Sequence, residues 1–397
     1  MVVSTRMALD GAHAAAHAMR QINPDVVAAY PITPQTAIVQ TFSQYVADGE
    51  VDTEFIAVES EHAAMSACVG AASAGGRVMT ATAANGLALM WEILYIAASS
   101  RLPIVMSVVN RALSAPLNIH CDHSDSMGAR DAGWIQLYSE TGQEAYDNLF
   151  QAVRISEHPD LLLPVMVMQD GFITGHGVGR VDVLDDSAVQ DFIGTYKAKH
   201  SLLDVDHPTT FGSWDMYDYY FEHKRQQTDA MSKAMKVIVD VGKEFGETFG
   251  RSYGIFDSYA VDDADLAIIV LSSTAGTART TVKKLRAEGV KIGLLKPRVF
   301  RPFPAQEFVD ALKGVKAVAV LDRSVSFGAM YGAGPMFLEV SAALFAGGSQ
   351  AKAVNYIYGL GGRDVIPEHI EQVASDLQEV ADTGKVKSLV NYLGLRE

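Results

Sequence analysis

Cysteine is nearly missing from this chain: Cys68 and Cys121 are the only two, each inside apolar or mixed sequence. That usage fits neither a disulfide framework nor paired CxxC metal spacing, and it excludes an iron–sulfur cluster held by this chain's cysteines alone. Net positive charge is missing too. With 32 basic and 47 acidic residues the formal charge is −15, which argues against a general nucleic-acid or anionic-membrane surface and favours solubility, while leaving room for a local anion site. No apolar run approaches the roughly 18 to 20 residues of a spanning helix, and MVVSTRMALDGAHAAA lacks the basic, apolar and cleavage regions of a signal peptide. The expectation is a cytoplasmic protein without nucleic-acid or membrane partners. A complete nicotinamide fingerprint, GxGxxG with an acid about 20 positions on, is absent, as is the GK[ST] of a phosphate loop after AGGRVMTATAANG. No internal repeat or low-complexity tract is evident.

What is present is an alternation. At 397 residues two domains are the expected organisation. Short β-branched runs at Val26–Ala29, Glu54–Val58, Arg77–Ala81, Ile104–Val109 and Val165–Gln169 read as strands separated by helical patterns. Their continuous apolarity argues for a parallel sheet covered on both faces. The runs AHAAAHAM, HAAMSACVGAASAGG and LALMWEILYIAASS are rich in small residues, which lets helices pack closely. The spacing places a first domain over 1–250, its last part, about 181–250, serving as a connecting arm of mixed charge and aromatics. A smaller α/β domain follows over 251–397. Its βα series starts near Asp262, with LAIIVL, KIGLLKPRVFRPFP, VKAVAVLD and KAVNYIYGLGG as strands.

Three strand ends carry candidates. In VVAAYPITPQTAIVQTF, two prolines bracket Ile32 and Thr33. Each fixes its own φ and biases the residue before it, so Thr33 is held at a strand's carboxyl edge, where ligands collect in parallel sheets. The plainer reading makes Thr33 a helix cap. In FIAVESEHAAMSA, Ser60 is a plausible N-cap and Glu61 lies in the first helical turn, where the helix dipole alone would favour it. Glu59 reads as a surface or interface carboxylate. After IVMSVVN comes Arg111, able to clamp a carboxylate through two parallel hydrogen bonds or to bridge to a nearby acid. The run HCDHSD offers His120, Cys121, Asp122, His123 and Asp125, crowded in a way no standard zinc site is, and favours loop hydrogen bonding. TAGTART, Thr274–Thr280, is either an anion cradle or a packed strand-to-helix turn.

Taken in order, YPITPQT, VESEHAAMSA, TATAANGLALMWE, NRALSAPLNIHCDHSDSMGARDAGW and LLKPRVFRPFP closely resemble the α subunit of the 2-oxoacid:ferredoxin oxidoreductases, best the pyruvate:ferredoxin members, over nearly the whole chain. The resemblance implies a pyrimidine-type thiamine-diphosphate-binding α/β domain followed by a smaller domain like the C-terminal one of transketolases. It also implies oxidative decarboxylation of a 2-oxoacid, pyruvate first, to acyl-CoA and CO₂, with electrons passed to ferredoxin. Other 2-oxoacids are the alternative: 2-oxoglutarate, branched, oxalyl or aryl ones such as phenylglyoxylate. A non-catalytic scaffold subunit is the more distant one.

Thiamine diphosphate would be shared with a partner subunit. Mg²⁺ and the [4Fe-4S] clusters would lie on partners: a diphosphate-binding β-type, a γ-type and a ferredoxin-like δ-type subunit. The GDG…N pattern of diphosphate-binding domains is indeed absent here. Residue by residue, the resemblance makes Glu61 the catalytic carboxylate facing the aminopyrimidine, with Tyr30 and Pro31 beside the cofactor. Thr33 and Arg111 would bind the substrate carboxylate, and Ile119 would crowd its side-chain end. Glu61 against N1′ would favour the imino tautomer whose 4′ nitrogen can remove a proton. The chain resembles half of an active site.

Overall fold

A computed structural model describes residues 4–396. The first half runs through β1 (Ser4–Leu9), β2 (Val26–Ala29), β3 (Glu54–Ala57), β4 (Val78–Thr82), β5 (Ile104–Asn110), β6 (Ile135–Ser139), β7 (Val165–Asp170) and β8 (Gly179–Leu184). The second half adds β9 (Phe256–Tyr259), β10 (Leu266–Val270), β11 (Ile292–Pro297), β12 (Val299–Arg301), β13 (Ala317–Asp322), β14 (Lys352–Tyr358) and β15 (Val390–Leu393). One sheet has the order β12-β6-β7-β5-β4-β2-β3, parallel except for β12. The other has the order β15-β14-β13-β10-β11-β9, parallel except for β9.

Helices on both faces bury every residue of β4, β5, β6 and β7, as their unbroken apolar runs require. Coverage fails only at the edge, where Glu54 and Ala57 of β3 are exposed. The alanine-rich helix Gly11–Ile22 buries Ala12, Ala14, Ala15, Ala16 and Ala18 and packs closely on the helix Gly142–Ser156. Small side chains serve that approach. Among the described residues no helix is long and apolar enough to cross a membrane.

The segment 181–250 is more structured than a connecting arm. β8 pairs antiparallel with β1, and the helix Asp186–Ile193 is held to Arg20 through Asp186 at 2.9 Å. Residues 194–219 contain no helix or strand. The helix Tyr220–Phe249 then buries Ala230, Ala234, Ile238, Val241 and Phe245, a stripe at helical spacing, against the helix Gly142–Ser156.

KIGLLKPRVFRPFP is not one strand of the second sheet. It divides at Arg298, leaving β11 in the second sheet while β12 crosses to pair with β6 of the first. Arg298 explains the crossing. Its buried guanidinium forks onto Asn148 at 2.8 Å and Gln151 at 2.9 Å, drawing the chain against the first domain.

Candidate active site

β2 stops at Ala29, and the next helix starts only at Thr36, with Gln35 at the cap position and no side-chain cap bond. Thr33 is therefore not a cap. The turn between the prolines is closed instead by Gln35, fully buried, whose Nε2 donates to the Ala81 carbonyl at 3.0 Å and whose Oε1 accepts from the Ile32 amide at 3.2 Å. Thr33 is left exposed, its hydroxyl without a hydrogen bond among the described residues. Tyr30 and Pro31 share this exposed loop.

Arg111 follows β5 and is 7% exposed. Its guanidinium donates through Nη1 to the Thr33 carbonyl at 2.8 Å and through Nε to the Asn118 carbonyl at 3.0 Å. Two of the proposed substrate residues are thus brought together directly. No carboxylate pairs with Arg111 among the described residues, so the plainer reading, an internal ion pair, is not what the fold builds. A nearly buried guanidinium with only neutral carbonyl partners retains its full attraction for an anion. Ile119, next to Asn118, is 40% exposed.

Asp125 takes the backbone of Arg111 rather than its side chain. One oxygen accepts from the amides of Arg111 at 3.0 Å and Ala84 at 2.9 Å; the other accepts from Asn110 Nδ2 at 2.8 Å and the Ser126 amide at 2.7 Å. Burial pushes its carboxyl up to about 6 despite these donors. The end of β5 is thereby tied to the start of the helix Ala84–Leu89, which faces Glu61.

Ser60 caps the helix Glu61–Ser73, its hydroxyl accepting from the Ala63 amide at 3.2 Å. Glu61 is 6% exposed, yet it has no hydrogen bond or ion pair among the described residues. Beside it, the Thr82 hydroxyl is buried and unpartnered. Gly86 holds the space between them, since an added Cβ there would lie 2.5 Å from Thr82 Oγ1 and 2.7 Å from Glu61 Oε1. Leaving a buried polar group unsatisfied costs about 1 to 3 kcal/mol, so this pair fits a ligand that donates or shares a proton, as the aminopyrimidine of thiamine does. Glu59 is exposed. Glu61 does not touch Thr33 or Arg111 by any hydrogen bond; the three share the edge where β2, β3 and β5 end.

The HCDHSD run meets two residues that sequence reading did not connect to it, Asp170 and Arg323. His123 Nε2 lies 2.8 Å from one Asp170 oxygen, while the other accepts from Arg323 at 3.3 Å and from the Ser273 amide at 3.2 Å. Burial pushes the Asp170 carboxyl up, but the charge and hydrogen bond of His123, then Arg323 and Ser273, outweigh it and hold it well below the usual carboxylate range. The ligating atoms of Cys121, His123 and Asp170 come within 4.8 Å of one another. Burial raises the Cys121 thiol well above its ordinary value, and Asp170 is already committed to hydrogen bonds. The cluster pins β7 to the ends of β10 and β13. TAGTART, for its part, is the first half of the helix Thr274–Ala287.

Gln35, Thr82, Gly86 and Asn118 were missed as site residues, although all lie inside the quoted motifs YPITPQT, TATAANG and APLNIH. The family described as pyruvate flavodoxin/ferredoxin oxidoreductase, thiamine diphosphate-binding, matches residues 17–243, and pyruvate:ferredoxin oxidoreductase core domain II matches residues 264–370. The chain is 56% identical over 395 residues to the pyruvate synthase subunit PorA of Thermotoga maritima, covering 100% of this chain and 99% of that one. It is 45% identical to the PorA of Methanocaldococcus jannaschii, covering 98% of each. With the ketoisovalerate oxidoreductase subunit VorA of Pyrococcus abyssi it shares 42% identity, over 98% of this chain and 97% of that one. Among solved structures, 2-oxoglutarate:ferredoxin oxidoreductase from Magnetococcus marinus, with 2-oxoglutarate, coenzyme A and succinyl-CoA bound, superposes with TM-score 0.72 at 22% identity over 95% of this chain. This chain spans 65% of the length of that one. A split-gene transketolase, described as an inactive β4 tetramer, gives TM-score 0.54 at 12% identity, covering 96% of this chain and 100% of that one. These two likenesses concern the fold.

Proposed function

The chain belongs to the pyruvate flavodoxin/ferredoxin oxidoreductase family, and on that premise we propose that it is the α-type subunit of a multi-subunit 2-oxoacid:ferredoxin oxidoreductase acting on pyruvate. The reaction is CoA-linked oxidative decarboxylation to acetyl-CoA and CO₂, with ferredoxin as electron acceptor. The observation that carries this reading is the buried, unpartnered Thr82 hydroxyl facing, across Gly86, a Glu61 carboxylate without a hydrogen bond among the described residues, on the same sheet edge as an arginine without a countercharge. The division into a first domain over 1–250 and a second over 251–397 accompanies it.

Thiamine diphosphate, when bound, supplies the electron sink for the pair released as CO₂ leaves. Glu61 holds a proton with N1′ of the aminopyrimidine, and its dry setting strengthens that bond. Tyr30 and Pro31, exposed in the loop after β2, would help hold the cofactor. Arg111 and the Thr33 hydroxyl orient the carboxylate of the 2-oxoacid, and Ile119 limits its side chain. Because Thr33 is held between two prolines and Arg111 by two carbonyls, neither must search for its position. Partners supply the rest: a β-type subunit the diphosphate and Mg²⁺ contacts, γ-type and ferredoxin-like δ-type subunits completing the complex, with the [4Fe-4S] clusters on partner subunits.

A second reading changes only the substrate. It is supported by the 42% identity to a ketoisovalerate oxidoreductase subunit, against 56% to a pyruvate synthase subunit. The test is acceptor reduction by the complex purified from its native source, with its subunits and cofactors identified by mass spectrometry. Coenzyme A-dependent turnover with pyruvate, exceeding that with 2-oxoisovalerate and 2-oxoglutarate, is expected. Preference for another 2-oxoacid would move the assignment to that substrate, and no turnover with any of them would remove the catalytic reading.

A further inference from the structure

The next inference rests on the reading of Arg111 as the substrate-carboxylate residue. Arg111 belongs to the first sheet, but part of what orients it comes from the second. Of its guanidinium partners, the Thr33 carbonyl is fixed by the proline loop. The other, the Asn118 carbonyl, lies in a stretch over residues 112–119 without helix or strand. Its placement depends on what Asn118 and its neighbours hold.

Asn118 Oδ1 accepts from the His120 amide at 2.7 Å, and Asn118 Nδ2 donates to the Gly361 carbonyl at 3.0 Å. The His120 carbonyl closes the loop at its base by accepting from the Ala112 amide at 3.0 Å. Gly361 lies in the turn after β14, and its own amide donates to Asp122 at 3.3 Å. The turn approaches so closely that side chains are excluded. Gly361 and Gly362 have φ of +60° and +84°, and an added Cβ would lie 2.4 Å from Asn118 Nδ2 or 2.4 Å from His120 Cβ, respectively.

We infer that Asn118 is a positioning residue, through which the diglycine turn of the second domain sets the direction of the Arg111 guanidinium. Nη1 and Nε each give one hydrogen to a carbonyl, so the remaining N–H groups, one on Nη1 and two on Nη2, keep one orientation toward substrate for as long as Asn118 stays in place. If the Gly361 contact is lost, the Asn118 carbonyl can swing with its loop, and the arginine must then be ordered by the substrate. That ordering weakens substrate capture more than it weakens turnover at saturation.

The test is steady-state kinetics of the assembled complex carrying Asn118→Ala, Gly361→Ala, both together, or Arg111→Lys. Asn118→Ala removes both side-chain bonds that hold this loop, to the Gly361 carbonyl and from the His120 amide, and should raise the KM for the 2-oxoacid about 3- to 10-fold. Its kcat should stay within about twofold, with thiamine diphosphate occupancy unchanged. Gly361→Ala should do the same by pressing on the Asn118 amide, and the double variant should be no worse than the poorer single one, because removing the amide removes the clash. A purely structural joint would lower stability without separating KM from kcat. If Asn118→Ala prevents assembly, Asn118→Asp, equal in size and lacking the donor, decides by the same separation. Unchanged KM in the Asn118 and Gly361 variants, with KM raised by Arg111→Lys, overturns the positioning role alone. Unchanged KM in Arg111→Lys as well overturns the substrate reading beneath it.

Discussion

Asp170, at the end of β7, and Glu61, at the start of the helix after β3, are both buried, yet Asp170 is bonded to His123, Arg323 and Ser273 while Glu61 has no partner. The arginines divide the same way. Arg323 is paired with Asp170, and Arg111 donates only to neutral carbonyls. The same residue types make a closed cluster where the two sheets meet and an open one at the carboxyl edge of the first sheet. A fold satisfies its buried polar groups wherever it can. Buried polar atoms without a partner also occur in the second domain, at Ser341, Tyr358 and His369; the Thr82 hydroxyl, with Glu61 and Arg111, lies at the edge at which parallel sheets bind ligands.

The comparison can be sharpened first at Glu61. Glu61→Gln should leave assembly intact and lower turnover about 10²- to 10⁴-fold, because the amide cannot hold the ring proton. Glu59→Gln, on the exposed side of the cap, should retain the wild-type rate. More than about a tenth of that rate in Glu61→Gln would remove the assignment.

On the closed side, Asp170→Asn should act on stability. It leaves Arg323 buried without a countercharge, at a cost of about 3 to 5 kcal/mol, to be read as a lower denaturation midpoint. The folded carboxyl sits below its ordinary 3.8, so the stability it contributes is present above that pH and lost only as pH falls through the lowered value. The difference between variant and wild type should therefore be flat from neutral pH down to about 5 and shrink only in stronger acid. A difference that vanishes near neutrality would mean that Asp170 is not the satisfied partner described.

Smaller effects are expected in the clamp. Arg111→Lys keeps the charge and loses the planar fork, so KM for the 2-oxoacid should rise while cofactor occupancy holds. Thr33→Val should report a single hydrogen bond, about 0.5 to 1.5 kcal/mol, or up to about 3 if its partner is charged. Loss of cofactor with KM unchanged in both would place these residues in the thiamine site or the fold.

Much of the open cluster was legible because its residues sit where local signals change. Thr33 lies between prolines, Glu61 follows a cap, and Arg111 ends an apolar strand. The closed cluster was not, since Asp170 and Arg323 are 153 positions apart and neither carries a local pattern. β1 was invisible for a related reason: five of its six residues are exposed, so it has no apolar alternation to detect. The split of β11 from β12 was hidden because the bonds that cause it join Arg298 to Asn148 and Gln151, a contact between domains. Asn118 and Gly361 lie in irregular segments, where only the folded chain brings them together.

The claim of an open half-site is tested most directly by titrating thiamine diphosphate into the isolated chain and, side by side, into the assembled complex stripped of cofactor, by isothermal calorimetry with Mg²⁺ present. With the diphosphate contacts assigned to a partner, as proposed above, saturable binding is predicted for the complex and none in the micromolar range for the chain alone, which brings Glu61, Thr82 and the Gly86 cradle. Micromolar binding by the isolated chain would contradict the account.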